Sequence, residues 1–184
     1  MRLETHLFGA HNATNLLLAA AAALELGVAP EVLEARAASF EPIPHRLNLV
    51  PASFGHLLDD TYNANPDSTR AALGTLAELD LPVTQRGFVF GEMRELGNVS
   101  AHLHRKVLAV ALALRIAPII PLGEQPIAAC REAARTDPQR FVFAPPDAPA
   151  PAIRAALPGD RNLLLVKGSR ALGLEHLVDE LTAP

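Results

Sequence analysis

Short apolar runs alternate along most of the chain with segments whose apolar positions recur at helical spacing. The runs are typical of buried strands and the intervening segments of amphipathic helices, an alternation that favours an α/β fold with a mostly parallel sheet flanked by helices. The predicted strands are HRLNLV, HLLDD, GFVFGE, APIIPLG, RFVFA and NLLLVKG, and the predicted helices cover about 66–79, 99–115, 124–135, 147–157 and 172–182. The first two strands are close enough in sequence to form a hairpin.

The N-terminal segment has a different pattern, because helical propensity dominates it. Residues 1–8 predict a short edge strand, and the Ala/Leu-rich run after it predicts a helix that Asn12 caps and Gly27 ends. Residues 30–39 predict a second helix, with Pro30 in the first turn, where proline is tolerated. This segment is therefore expected to be short and mostly helical.

The sequence EPIPHR separates the helical segment from the alternating pattern. Two prolines within three residues do not fit inside a regular element, so we place a domain boundary near residue 45. The predicted organisation is a helical part over residues 1–44 and an α/β domain over residues 45–184.

Composition narrows the class of protein. The chain has 184 residues, a formal net charge of −4 and a single cysteine, Cys130, so neither a broad basic face for nucleic acid nor an intrachain disulfide is expected. The longest apolar stretch, residues 16–24, is well short of the roughly 20 residues that a membrane span needs. The N-terminus lacks the apolar core of a signal peptide. We predict a cytoplasmic protein without a membrane span.

Polar clusters follow three of the predicted strands: DDTYNANPDS, GEMRELG and KGSR. Open α/β sheets bind ligands at the carboxyl ends of their strands. In DDTYNANPDS, Asp59 and Asp60 point to opposite sides of a strand, so one of them can accept ribose hydroxyl groups or touch a metal hydration shell. In KGSR, Lys167, Ser169 and Arg170 suit a carboxylate or a phosphate. Each cluster is also compatible with a capped or charged surface turn.

Two kinds of site are not expected. The seven histidines show no metal-ligand spacing with one another or with the cysteine, so no metal site is predicted. The sequence contains no GxxxxGK[ST] phosphate loop, so this chain cannot hold the β- and γ-phosphates of ATP in the usual way.

Four segments resemble the Mur ligase family, and in particular its MurF-type members. DDTYNANPDS resembles the family's DDSYNANP, NLLLVKGSRALGLE its VKGSR motif, GEMRELGNVSAHLH its GDM-x-ELG…S…H segment, and GAHNATNLLLAAAAALELG its HN-x-x-N helix. The four segments occur in the family's order and span almost the whole chain.

The resemblance implies a Rossmann-like Mur ligase C-terminal domain, preceded by the end of the family's central ATPase domain. It implies an ATP-dependent ligase that adds D-alanyl-D-alanine to UDP-N-acetylmuramoyl-tripeptide in peptidoglycan synthesis, through an acyl phosphate. ATP and Mg²⁺ would be held mainly by the central domain. Its GKTT-bearing core and the family's UDP-sugar-binding domain are not in this sequence, so the chain alone is expected to be inactive.

The resemblance also implies roles for individual residues. Arg46 matches the hinge arginine that approaches the ATP phosphate, and Asp60 matches the aspartate that holds the ribose. Further nucleotide-binding positions are Asn12, Asn15, Tyr62, Asn63 and Asn65. The incoming amino component is expected at Lys167, Ser169 and Arg170, with Asn65 nearby. Arg46 and Lys167 are the expected catalytic residues.

The sequence departs from the MurF pattern at three positions. His45 replaces a glycine, Glu92 an aspartate and Thr61 a serine, and the resemblance assigns no role to His104. Two alternatives stay open. The chain can be a stand-alone, non-catalytic binding module of the same fold, or part of another ligase of this superfamily, such as a folylpolyglutamate-synthase-like enzyme.

Overall fold

The computed structural model describes residues 1–183, which divide into two compact units: Met1–Ile43, and a second unit that begins at Pro44. The first unit contains helices α1 (Ala10–Glu25) and α2 (Pro30–Ala38). Much of its apolar surface is exposed; Leu18, for example, is 66% exposed. None of the helices described in residues 1–183 is long and apolar enough to cross a bilayer.

Two expectations for the first unit were wrong. Residues 1–8 form no strand; the Leu7 amide instead donates to Thr5 Oγ1 at 3.2 Å, a local turn contact that competes with strand pairing. Asn12 does not cap α1, because the helix begins earlier, after Gly9. The Asn12 side chain lies within the first turn and donates from Nδ2 to the carbonyl of Phe8 at 2.8 Å.

The second unit contains one five-stranded sheet in the order β1-β2-β5-β3-β4. Strands β1 and β2 form the expected antiparallel hairpin, and the other neighbours pair in parallel, which confirms the predicted α/β class. The strands are β1 (Asn48–Ala52), β2 (Gly55–Asp60), β3 (Gln85–Gly91), β4 (Ile119–Leu122) and β5 (Asn162–Lys167).

The predicted strand RFVFA does not form. Only Phe141 makes an isolated bridge to Ile119, and the Val142 amide donates to the Ile119 carbonyl. The proline-rich segment 144–151 follows at once, and prolines cannot donate to a strand ladder. Pairing at the edge of the sheet therefore stops after one bridge.

All five predicted helices of the second unit form, with ends within three residues of the expected ones. They are α3 (Pro66–Glu78), α4 (Ser100–Ala113), α5 (Glu124–Ala133), α6 (Pro149–Ala156) and α7 (Leu174–Thr182). Helices α6 and α7 pack over Leu57, Val89 and Leu164 on one face of the sheet. The alternate residues Phe88 and Leu165 point to the opposite face of the sheet and are also fully buried. Helices α3, α4 and α5 lie on that side.

The carboxyl ends of β3 and β5 approach each other main chain to main chain. A Cβ atom added at Gly91 would lie 2.7 Å from the Cα of Gly168 and 2.8 Å from the carbonyl oxygen of Lys167. The Ser169 amide donates to the Glu92 carbonyl at 2.9 Å across the same gap. The loops that follow β3 and β5 are therefore held at a separation that only glycine permits.

We expect Gly91→Ala to lower the free energy of unfolding by about 1–3 kcal/mol, because the new methyl group meets main-chain atoms that cannot turn aside. Gly74→Ala, in the interior of α3 with open space around its Cβ position, should raise it by about 0.5–1 kcal/mol. Urea denaturation of both variants tests this. Equal stability of the two variants would contradict the close approach.

Candidate functional site

An ion pair joins the carboxyl ends of β2 and β5, where Asp60 and Lys167 are direct neighbours in the parallel register. Lys167 Nζ donates to Asp60 Oδ2 at 2.5 Å and to the Asn63 carbonyl at 3.0 Å. The Lys167 side chain is only 2% exposed. Burial lowers the pKa of Lys167, the Asp60 carboxylate opposes this shift, and the nearby Arg46 adds to it. Lys167 is thus a buried, paired cation.

Asp59 points to the other side of β2 and organises a second network. Its Oδ2 atom lies 2.8 Å from His45 Nδ1, and its Oδ1 atom accepts from the amide and the hydroxyl of Thr61 at 3.1 and 2.7 Å. The Tyr62 amide donates to the His45 carbonyl at 3.0 Å. The turn around His45 is therefore joined to the end of β2 by side chains and by main chain.

Two arginines lie near the ring of Tyr62. The guanidinium carbon of Arg46 is 4.1 Å from the ring centroid, and that of Arg170 is 5.8 Å from it. Both distances lie within the range of cation–π attraction. Arg170 is also 3.7 Å from a carboxylate oxygen of Glu175. The structure thus brings together Arg46 and Tyr62, which the sequence assigned to the nucleotide, and Arg170, which it assigned to the incoming amino component.

The remaining candidate residues of DDTYNANPDS and KGSR are Asn63, Asn65 and Ser169. Asn65 caps α3, with its Oδ1 accepting from the Ser68 amide at 2.8 Å while Ser68 Oγ accepts from the Asn65 amide. Asn63 is exposed, and its Oδ1 accepts from the Ala64 amide. Ser169, the neighbour of Arg170 in the chain, is buried. The KGSR segment therefore offers an exposed guanidinium group, while its lysine is already paired.

Glu92 and His104 hold the loop that follows β3. Glu92 Oε2 accepts from the Glu124 amide at the start of α5 at 2.9 Å. His104 Nε2 accepts from the Met93 amide, and its Nδ1 lies 2.9 Å from the Ser100 carbonyl, so Nδ1 carries the proton and the ring is neutral. Burial lowers the pKa of His104 below its ordinary 6.5, and the Ser100 carbonyl and the Glu92 charge oppose this shift.

Asn12 and Asn15 belong to the first unit, in α1, where Asn15 is exposed. No group of three or more His, Cys, Asp or Glu side chains in residues 1–183 is arranged to hold a metal ion.

The His45–Asp59–Thr61 network was the part of the site that sequence reasoning missed. The two adjacent aspartates were the available signal, since their side chains must leave the strand on opposite sides. The sequence did not reveal which partner each aspartate would have.

A mostly parallel sheet covered by helices, with the buried Asp60–Lys167 ion pair at its carboxyl edge, places the second unit in the Rossmann-like α/β class. The chain belongs to the Mur ligase family, since the family model described as "Mur ligase, glutamate ligase domain" matches residues 45–170. This confirms the family resemblance seen in the four sequence segments.

The similar proteins point to one branch of that family. The UDP-N-acetylmuramoyl-tripeptide–D-alanyl-D-alanine ligase of Mycobacterium tuberculosis is 34% identical over 95% of this chain and 38% of its own length. The ligase of the same name from Escherichia coli is 32% identical over 94% of this chain and 37% of its own length. A crystal structure of MurF from Acinetobacter baumannii aligns with a TM-score of 0.82 and 28% identity, covering 98% of this chain and 39% of that one. The chain therefore matches well under half the length of these relatives.

We expect Lys167→Met to lower the free energy of unfolding by about 3–5 kcal/mol, because it leaves the Asp60 carboxylate buried without its partner. Adding Asp60→Asn should recover part of the loss, since the unpaired charge is then absent. Lys106→Met, at an exposed position on α4, should stay within about 0.5 kcal/mol of the parent. Chemical denaturation of the four proteins measures this, and a mild effect of Lys167→Met would argue against a buried pair.

We expect acid to destabilise the second unit through His104. Between the lowered folded-state pKa and 6.5 the unfolded chain binds a proton that the folded chain does not, so stability rises with pH across that window and falls on acidification. The slope is at most about 1.4 kcal/mol per pH unit. Denaturation at several pH values should show a smaller slope in His104→Gln and an unchanged slope in His102→Gln, whose histidine is exposed.

Proposed function

We propose that this chain provides the C-terminal portion of an ATP-dependent ligase that adds D-alanyl-D-alanine to UDP-N-acetylmuramoyl-tripeptide in the cytoplasm. The observation that carries the proposal is the Arg46–Tyr62–Arg170 group at the carboxyl edge of the sheet. Cations at this edge suit the oxyanions that such a reaction handles: nucleotide phosphates, a substrate carboxylate and an acyl phosphate. The proposed substrates are those named for the similar ligases of Mycobacterium tuberculosis and Escherichia coli.

Residues of the second unit are proposed to contact the ribose and a phosphate of the nucleotide. The hydrogen bond to Lys167 uses Asp60 Oδ2, which leaves Oδ1 to accept from a ribose hydroxyl group. Arg46 is exposed beside Tyr62 and is available to a phosphate, and the exposed Asn63 can contribute its amide. We assign Asn12 and Asn15 to the adenine. ATP supplies the phosphoryl group that activates the carboxylate.

The incoming dipeptide is assigned to the KGSR segment. Arg170, 58% exposed, presents a guanidinium group that suits a carboxylate in two-point contact. Ser169, next to Arg170, and Asn65, which caps α3, are assigned to the same dipeptide. Lys167 acts from behind this surface, because its ammonium group is already bound to Asp60 and to the Asn63 carbonyl.

Residues 1–183 contain no group of three ligating side chains that could hold Mg²⁺ by themselves. The phosphate loop is absent from the sequence as well. We therefore propose that other polypeptide, equivalent to the N-terminal and central domains of the relatives, holds the metal and the nucleotide phosphates. Residues 1–44 are assigned to the end of that central domain and residues 45–184 to the C-terminal domain.

A chimera tests the proposal. The region of the Escherichia coli ligase that matches this chain is replaced by this chain, and phosphate release is measured with ATP, Mg²⁺, UDP-N-acetylmuramoyl-tripeptide and D-alanyl-D-alanine. We expect the chimera to be active and this chain alone to release no phosphate above background. Arg46→Ala in the chimera should lower kcat/KM roughly 100-fold, because a preorganised cation is lost. Arg105→Ala, at an exposed arginine on α4, is the matched control and should have little effect.

A folded chimera without ligation activity, or full activity of the Arg46→Ala chimera, would contradict the proposal. Ligation by this chain alone would contradict the assignment of the phosphates and the metal to other polypeptide.

A further inference from the structure

The turn that carries Arg46 has an unfavourable backbone on both sides of the arginine. His45 has φ 63° and Leu47 has φ 52°, so two residues with side chains occupy the left-handed region. Residues other than glycine, asparagine, aspartate and histidine rarely adopt it, because Cβ then approaches the following carbonyl oxygen, so Leu47 is the more strained of the two. Contacts elsewhere must hold this turn in place.

The contacts that hold it are on His45. Its Nδ1 atom is 2.8 Å from Oδ2 of Asp59, and its carbonyl accepts from the Tyr62 amide at 3.0 Å. Asp59 is only 5% exposed, and both bonds from Thr61 go to its other oxygen, Oδ1. The carboxylate is therefore fixed in orientation, with Oδ2 directed at the imidazole ring.

The same contacts determine where Arg46 lies. Tyr62 is bound to the His45 carbonyl through its own amide, and its ring lies 4.1 Å below the guanidinium carbon of Arg46. The Arg46 amide donates to Asn48 Oδ1 at 3.1 Å, which closes the turn on its C-terminal side. Residues 45 and 62 thus hold the arginine and its aromatic support in one local unit.

We propose that His45 is a positioning residue, whose side-chain bond to Asp59 holds the strained turn so that Arg46 lies over the Tyr62 ring. The bond requires Nδ1 to donate, because the Asp59 carboxylate only accepts. Without it, the turn relaxes from its left-handed backbone and Arg46 leaves the ring. The consequence for ligation rests on the proposed function, but the placement of Arg46 does not.

Two substitutions at position 45 separate the bond from the backbone strain. Glycine adopts a positive φ without strain but offers no side-chain donor. Asparagine tolerates the left-handed region better than most residues, and its Nδ2 is as many bonds from Cα as Nδ1 of histidine. Against His45→Ala, which keeps a strained backbone and has no donor, His45→Gly relieves the strain and His45→Asn keeps a donor in the same place.

NMR of this chain alone provides the test. Protons over the face of a tyrosine ring are shifted upfield, so the Arg46 side-chain protons should be upfield in the parent chain and lose that shift in Tyr62→Leu. We expect His45→Ala to lose it as well, His45→Asn to keep most of it, and His45→Gly to keep more of it than His45→Ala, because glycine needs no contact to hold a positive φ. His102→Ala, at an exposed histidine on α4, should leave it unchanged. Unchanged methyl shifts in the sheet show that the fold is intact.

An unchanged Arg46 shift in a folded His45→Ala would overturn the proposal, and so would its loss in a folded His45→Asn. In the active chimera, His45→Ala should lower kcat roughly 10- to 100-fold, because misplaced catalytic groups cost that much, and His45→Asn should restore most of it. A chimera that is inactive beside a normal NMR result would refute the ligase function and leave the positioning role standing. An active chimera, together with an Arg46 shift that His45→Ala leaves unchanged, would refute the positioning role alone.

Discussion

The buried ion pair between Asp60 and Lys167 is the constraint on which the rest of the site depends. It joins the last residues of two neighbouring parallel strands, and its desolvation cost is offset by short range and by the second bond from Nζ to the Asn63 carbonyl. A slip of one residue in β2 would place Asp59 beside Lys167 and turn every side chain of that strand to the opposite face. Because that slip would also take Asp59 away from His45, the ion pair and the Asp59–His45 contact together favour one register, and with it one arrangement of the loops at this edge.

Asp59 makes the second connection at this edge, on the other side of β2, because adjacent residues of a strand face opposite ways. One aspartate secures the loop after β5 through Lys167, and the other secures the turn before β1 through His45. Tyr62 lies two residues after Asp60. Segments far apart in sequence thereby meet around one exposed ring, with Arg46 from one side and Arg170 from the other.

Much of the fold could be predicted, because fully buried strands read as apolar runs and their helices keep a clear period. RFVFA failed as a strand because its ladder ends where prolines begin, and Asn12 failed as a cap because α1 starts earlier. The structure places Asp59, Asp60 and Lys167 at the carboxyl ends of β2 and β5, as the sequence predicts. Their partners were beyond sequence reasoning: the Lys167–Asp60 contact depends on the order of strands in the sheet, and the His45 contact depends on a left-handed backbone.

The choice of partner explains why Arg46 keeps its charge available. A carboxylate in the place of Tyr62 would pair with Arg46 and cancel the field that an incoming phosphate or carboxylate meets. The face of an aromatic ring attracts a guanidinium group through its quadrupole without carrying a net charge. Lys167, in contrast, is neutralised by Asp60 and withdrawn from solvent. Arg170 is intermediate, because a Glu175 carboxylate oxygen lies 3.7 Å from it. The site thus separates a paired cation that fixes the loops from Arg46, which an uncharged ring supports at the surface.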